Sequence, residues 1–408
     1  IKIGGMYRNK NRDNFYDAYS LNPLRIGGAN QLYTTLNDAK FTFIGSDPIA
    51  QPSGNSYTFT ENIAAAYLQG NLKLSSKLEA LGGFRVENTK QNYNTQLPQT
   101  ADYVYGTISY TDMLPSVQLK YQISKTQAVR LSYYKAIARP QFSELIPDGP
   151  SNFEVFPEKG NPEGLEHTKA DNFDLRYEFF PGGADQILLG VFYKNIDNPI
   201  ELSVRKFGYN AQIFKPVNIG GGKAATNYGF EAVFTKYFGA FGVSANYTFT
   251  QSQITNDSML FKYRDPAIGI TDKYVSETRP LQGQANHIAN LSALYKNPII
   301  ALDVQIAFVY TGERLAILNT YAGLHYWLQP TAQLDFSFEK RIFQKFSFYG
   351  KIVNLTNTPG TTSLHVSYND YLQKTNVPLD SQTDPANKII VQKDYFKTSF
   401  LFGLRYKF

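Results

Sequence analysis

The chain has 408 residues, 40 basic and 34 acidic side chains, and a formal charge of +6. No basic block of the kind found in nucleic-acid-binding arms is present, so no nucleic-acid partner is expected. The absence of Cys excludes a disulfide framework and thiolate metal sites. Mean hydropathy is −0.34, and no apolar run approaches the roughly 18 residues of a membrane helix. A transmembrane barrel stays open, because half of each strand faces a polar lumen and dilutes the hydropathy. Thirty Tyr and thirty Phe, against one Trp, fit strands and interfacial aromatic girdles.

The chain opens at Ile1, and IKIGGMYR reads as a strand already in progress, without a signal peptide. An upstream segment is therefore expected. Further on, strict alternation recurs. SVQLKYQIS places Val117, Leu119, Tyr121 and Ile123 on one face and Ser116, Gln118, Lys120 and Gln122 on the other. FGVSANYTFT and LQPTAQLDFSFEK repeat the pattern, with Phe336 and Phe338 opposed to Asp335, Ser337 and Glu339. NFDLRYEFF, QILLGVFYKN, NYGFEAVFTKYF, IIALDVQIAFVYTG and FSFYGKIVN follow with more noise.

The connections alternate in length. Short ones fall near residues 75, 125, 182, 239, 297 and 344, most with the Gly, Pro, Asn or Ser of tight turns. Long ones run roughly 10–58, 93–113, 138–168, 198–223, 255–286, 314–327 and 355–394. Short turns at one rim and long loops at the other are the layout of an outer-membrane barrel. The expected fold is all-β: a transmembrane, antiparallel, up-and-down barrel with about fourteen strands present. No domain linker is visible, so residues 1–408 read as one barrel portion. The partner of its outer face is a lipid bilayer, with lipopolysaccharide in the outer leaflet.

The closing segment FLFGLRYKF alternates too. Phe400, Phe402, Leu404, Tyr406 and Phe408 share one face, opposite Gly403, Arg405 and Lys407. An aromatic terminal strand offers backbone pairing plus side chains on one face. These five residues are expected to form an assembly signal for the barrel-assembly machinery.

Charges of both signs occupy the polar strand face: Arg130, Asp174, Arg176, Glu178, Glu231, Asp303, Asp335 and Glu339, together with Glu79, Arg85, Glu87, Lys135 and Lys194. They are expected to face a lumen, because unpaired charge in hydrocarbon costs several kcal/mol. The solvated face of a soluble sheet is the rival assignment.

The four His, at 167, 287, 325 and 365, lack metal-ligand spacing, so no metal or cofactor is expected. His325 stands in LHYWLQ beside Tyr326 and Trp327, where an aromatic belt is favoured over a haem or chelate ligand. The glycine run at 220–222 lacks a following helix or Lys-Ser/Thr and reads as a loop. No G-x-S-x-G elbow occurs, and no enzyme is expected.

LPSVQLKYQISKTQAVRLSYYKAIARPQFSELIP resembles the mid-barrel segment of TonB-dependent outer-membrane receptors, in particular those of Bacteroidota. Arg139, Pro140 and Phe142 match the Arg-Pro and aromatic at the base of an extracellular loop. GNPEGLEHTKADNFDLRYEFF resembles the next segment through Gly160, Asn161, Pro162 and Glu166. LGVFYKNIDNPIE, NYGFEAVFTKYFG, GKIVNLTNTP and the closing strand are similar to that family as well. The resemblance implies strands 9–22 of a 22-stranded plugged barrel, with the plug and first strands outside this sequence. It implies import of a scarce nutrient (siderophore, haem, glycan or peptide) with TonB and a surface lipoprotein as partners. Arg139, Phe142, Asn161, His325, Tyr326 and Trp327 then become candidate substrate-loop residues. A passive channel of fatty-acid type and a non-transporting surface receptor or scaffold are the rival functions.

Overall fold

The computed structural model describes residues 1–16, 19–23, 25–26, 29–30, 41–45, 56–100, 102–147, 161, 165–207, 211–219, 225–265, 267, 269–319, 323–366 and 389–407. Phe408, Gly160 and Pro162 lie outside them. One antiparallel sheet dominates, with fourteen strands in an unbroken path. They are β1 (Lys2–Asn14), β2 (Tyr57–Lys73), β3 (Leu78–Thr95), β4 (Tyr105–Gln122), β5 (Gln127–Ala138), β6 (Thr168–Gly182), β7 (Asp185–Asp197), β8 (Ala225–Phe238), β9 (Phe241–Asp265), β10 (His287–Asn297), β11 (Leu302–Thr311), β12 (Thr331–Phe343), β13 (Phe346–Val353) and β14 (Ser399–Tyr406). Each pairs with its neighbour in sequence order, as an up-and-down meander does. Among the described residues β1 and β14 do not pair with each other, so the sheet is open at both edges.

All six short connections are hairpins between neighbouring strands. Three of them have two-residue loops; the one that joins Phe238 to Phe241 runs through Gly239 and Ala240, and Gly239 has φ +64°, a conformation that glycine adopts without steric cost. The opposite ends are built differently. β3 has 18 residues and β9 has 25, whereas a tilted strand crosses a bilayer in about 9–11. The excess stands beyond the crossing as a wall. The connection expected at 93–113 is therefore mostly strand, and only 96–104 link β3 to β4.

Other long connections also carry strands. Ile200–Phe207 pairs with Ala211–Asn218, and Gly269–Arg279 pairs with the far half of β9. Arg314–Ile317, Tyr326–Leu328, Gly360–Leu364 and Ile389–Asp394 form a separate four-stranded sheet. Phe214, Met259, Leu260, Phe261, Leu315 and Leu318 make a core between these connections, with Trp327 packed against it. Tyr57, Phe59, Tyr93, Phe142, Leu145, Ile146 and Leu165 make another around the short helix α1 (Phe142–Leu145). Among the described residues the buried apolar clusters thus sit at the loop end, and the wall is a single sheet.

Register separates the two faces of the wall. Tyr133, Phe173, Tyr193 and Tyr228 are successive partners across four strands, an aromatic row near the loop rim. Phe238, Phe241, Phe343 and Phe346 form its counterpart at the short-turn rim. Phe249, opposite Phe230 and one outward position inside the Tyr228 row, is eight positions from Phe241 on β9, roughly 26 Å at 3.3 Å per residue. Two aromatic rows at that spacing suit a hydrocarbon band crossed at a tilt.

Candidate functional site

On the opposite face Lys120, Arg130, Arg176, Gly190 and Glu231 are successive partners. Arg130 Nε donates to Glu178 Oε1 at 2.9 Å, Arg176 stands 3.7 Å from Glu231, and Arg405 donates to Glu339 at 2.6 Å. Asp335 Oδ1 accepts from the Asn354 backbone N–H at 2.9 Å. Asp174 lies opposite Ser132 in the same row set, and Asp303 lies opposite Lys296 on one side and Glu339 on the other. These residues share the face that turns away from Phe336 and Phe338.

Lys135 departs from the sequence-based assignment. It pairs in register with Asp171, beside Tyr133 and Phe173, and so belongs to the aromatic face. Its Nζ is 3.7 Å from the Asp171 carboxylate, and Tyr133 Oη donates to the same carboxylate at 2.7 Å. The pair sits at the loop rim, where outward charge meets water or headgroups and not hydrocarbon.

At the loop end the candidate residues divide into two groups. Arg139 follows β5 and turns back over the charged face, where it binds the Glu87 carboxylate and donates from Nε to Thr89 Oγ1 at 3.1 Å. Phe142, on α1, stacks on Phe59 with ring centroids 3.9 Å apart. Asn161 joins two connections, since its N–H donates to Glu144 O at 2.6 Å and its Nδ2 to Pro216 O at 3.0 Å. Nearby, His167 and Asp112 share a buried 2.6 Å hydrogen bond, and the Tyr110 ring stacks on the imidazole at 3.9 Å.

The second group surrounds His325, which is 5 % exposed and lies in the loop core where a membrane belt was expected. Its Nδ1 accepts the Asn319 N–H at 3.0 Å, so the ring proton is assigned to Nε2, which donates to Glu277 Oε1 at 2.7 Å. Glu277 also accepts from Arg279 Nε at 3.2 Å, and Arg279 Nη2 binds Glu201 at 2.8 Å with both partners buried. This chain of charges ties three long connections together: 198–223, 255–286 and 314–327. Burial pushes the Glu277 carboxyl up, but the hydrogen bond from His325 and the charges around it outweigh burial and hold it below its ordinary value. Both His325 nitrogens are engaged within the protein, so the ring has no lone pair to give a metal.

His287 occupies the belt position instead. It lies opposite Phe249 on the aromatic face and shares a 2.7 Å hydrogen bond with Tyr247 Oη. Trp327 stacks on His365 at 4.3 Å, and His365 Nε2 meets Glu313 Oε1 at 2.9 Å. Tyr326 packs against Leu324, Leu364 and Ile389. Sequence reading missed Glu201, Glu277, Arg279 and Asp112. Glu201, Glu277 and Arg279 are isolated polar residues in long connections and Asp112 lies on β4, with no spacing signal to join them.

The family described as TonB dependent receptor-like, beta-barrel, matches residues 2–403. The chain belongs to the TonB-dependent receptor β-barrel family. Solved structures share the fold. The siderophore receptor PiuA from Acinetobacter baumannii superposes with a TM-score of 0.64 at 12% identity, over 100% of this chain and 52% of that one. The copper transporter OprC gives 0.62 at 13% identity, over 92% and 51%. The ferric-catecholate import receptor Fiu of E. coli K12 gives 0.58 at 13%, over 99% and 51%. This receptor-barrel chain therefore spans about half the length of the structures it matches. No curated protein matches its sequence.

Proposed function

We propose that the chain forms the C-terminal fourteen strands of a 22-stranded, plugged barrel in the bacterial outer membrane, which imports a scarce nutrient with energy delivered through TonB. The open sheet carries this reading. Unpaired backbone at the β1 and β14 edges would cost several kcal/mol per group in hydrocarbon, which favours a wall closed by further strands. A barrel wider than fourteen strands has room for a plug, and the ion-paired charges on the inner face suit a polar filling. The cargo is captured by the loop-end structure around Arg139, Phe142 and Asn161 and the loops held by His325, Tyr326 and Trp327. Phe400, Phe402, Leu404 and Tyr406 are all outward and exposed on β14 and, with Phe408, serve the assembly machinery. A surface lipoprotein is a further partner implied by the resemblance.

Uptake by intact cells expressing the full receptor tests the reading. A panel of labelled siderophores, haem, oligosaccharides and peptides is offered with and without a protonophore and in a strain lacking TonB. Saturable uptake of one cargo, abolished by either treatment, is expected. Uptake that persists in both would identify a passive channel.

A further inference from the structure

We infer that the cleft between β1 and the segment Arg139–Ser143 binds a small, multiply charged anion. Arg8, Lys10 and Arg12 occupy every second position of β1 and so project from one face, about 6.8 Å apart. Their register partners Ile63, Glu61 and Phe59 place them on the charged face of the wall. Arg139, Pro140, Gln141, Phe142 and Ser143 close the other side of a cleft of about 350 Å³. That size is within the range of small-molecule sites.

The charges in the cleft do not balance. Four cations line it, Arg8, Lys10, Arg12 and Arg139, against one anion, Glu61. Two of the cations are engaged: Arg8 binds Glu61 at 2.8 Å, and Arg139 binds Glu87 behind the wall of the cleft. Glu61 is further held by Gln91 Nε2 at 2.9 Å, and although Lys10 is its register partner, the two make no ion pair. Among the described residues no carboxylate pairs with Lys10 or Arg12. Lys10 Nζ rests 4.3 Å over the Phe142 ring, which orients the ammonium without neutralising it. A site in which two cations of one strand, Lys10 and Arg12, make no ion pair, braced by two paired arginines, suits a ligand with at least two anionic groups. Carboxylate and phosphoryl ligands share that chemistry.

The inference rests on the receptor reading only for the side from which the ligand arrives. Its test is a titration of the full-length receptor, purified in detergent, with citrate, its uncharged trimethyl ester and inorganic pyrophosphate. Citrate or pyrophosphate should bind and the ester should not, and the tighter of the two anions identifies the ligand class. Affinity should fall at least tenfold between 50 and 500 mM salt. The double variant Lys10→Gln/Arg12→Gln should bind at least tenfold more weakly, whereas Lys10→Arg/Arg12→Lys retains binding. Lys77→Gln/Lys125→Gln, in the short turns, leaves binding unchanged. Heat-modifiable mobility checks that each variant is folded. Equal binding of citrate and ester, an unaffected Gln/Gln variant, or no binding of either anion overturns the cleft, including the case in which the rest of the receptor covers it. Energised uptake of cargo would survive that failure. Uptake independent of energy would instead overturn the transport reading and leave the titration standing.

Discussion

Gly350 lies directly opposite Phe402, and a Cβ on Gly350 would stand 2.8 Å from that ring. On its other side it opposes Phe338, whose ring would be 2.5 Å away. Two aromatic side chains on neighbouring strands thus fold over one glycine. The last three strands gain a continuous outward aromatic surface, with Phe348 and Phe402 stacked at 6.2 Å.

Gly350→Ala should therefore destabilise the barrel by about 1–3 kcal/mol, because both rings must leave their rotamers. Gly70→Ala on β2 meets nothing within 4 Å and should be neutral or slightly stabilising. Urea unfolding midpoints of the two purified variants decide the matter. Equal midpoints would show that the rings swing aside freely.

The face assignment is tested on β12. Phe336→Arg puts a charge towards hydrocarbon at about 2–4 kcal/mol, whereas Ser337→Arg points to the charged face. The first should lose most of its heat-modifiable, folded form and the second little. Matching losses would reverse the facing or remove the membrane.

The His325–Glu277 link predicts a response to acid. The Glu277 carboxyl is held below its ordinary value in the folded protein, so its contribution is complete above the unfolded value of about 4.3. It is lost as pH falls through the lower, folded value. Amide protection of the 314–319 segment, relative to the intrinsic exchange rate at each pH, should therefore hold from pH 7 to 5 and fall once the pH drops below the ordinary carboxylate value. Glu277→Gln should weaken the link by about 1–3 kcal/mol at neutral pH and flatten this acid response. A pH profile identical to that of the wild type would show that other groups hold the loops.

Topology is open to labelling, because the chain has no Cys of its own. Gln99→Cys, exposed between β3 and β4, should react with an impermeant maleimide on intact cells. Ser75→Cys, in the short turn between β2 and β3, should react only after the outer membrane is opened. Labelling of Ser75→Cys on intact cells would invert the orientation.

The wall of this receptor barrel was legible in the sequence because its determinants are local. A strand with lipid on one side and a polar interior on the other must alternate, so LDFSFE declares the facing of Phe336 and Asp335 without knowledge of any partner. Hairpin turns are equally local, and all six short connections turned out to join neighbouring strands. The one strand residue assigned by its charge and not by its parity, Lys135, was assigned to the wrong face. It is five positions from Arg130 and must point the other way.

The loop end was legible only in part. Arg139, Phe142 and Asn161 came from motif resemblance, but what they touch did not. Glu201 and Arg279 are 78 positions apart, and nothing in either neighbourhood announces the other. Their meeting depends on two hairpins from different connections packing over a shared apolar core. The cleft cations Arg8, Lys10 and Arg12 were not read from the sequence, which placed a long connection from about residue 10, whereas the strand continues to Asn14. The sequence by itself determined the strand pattern, the two faces and the turns, all of which follow from a two-residue period against a bilayer. Tertiary structure alone decided which charges are buried in pairs and which make no ion pair, because ion pairing depends on distance in space and carries no period along the chain.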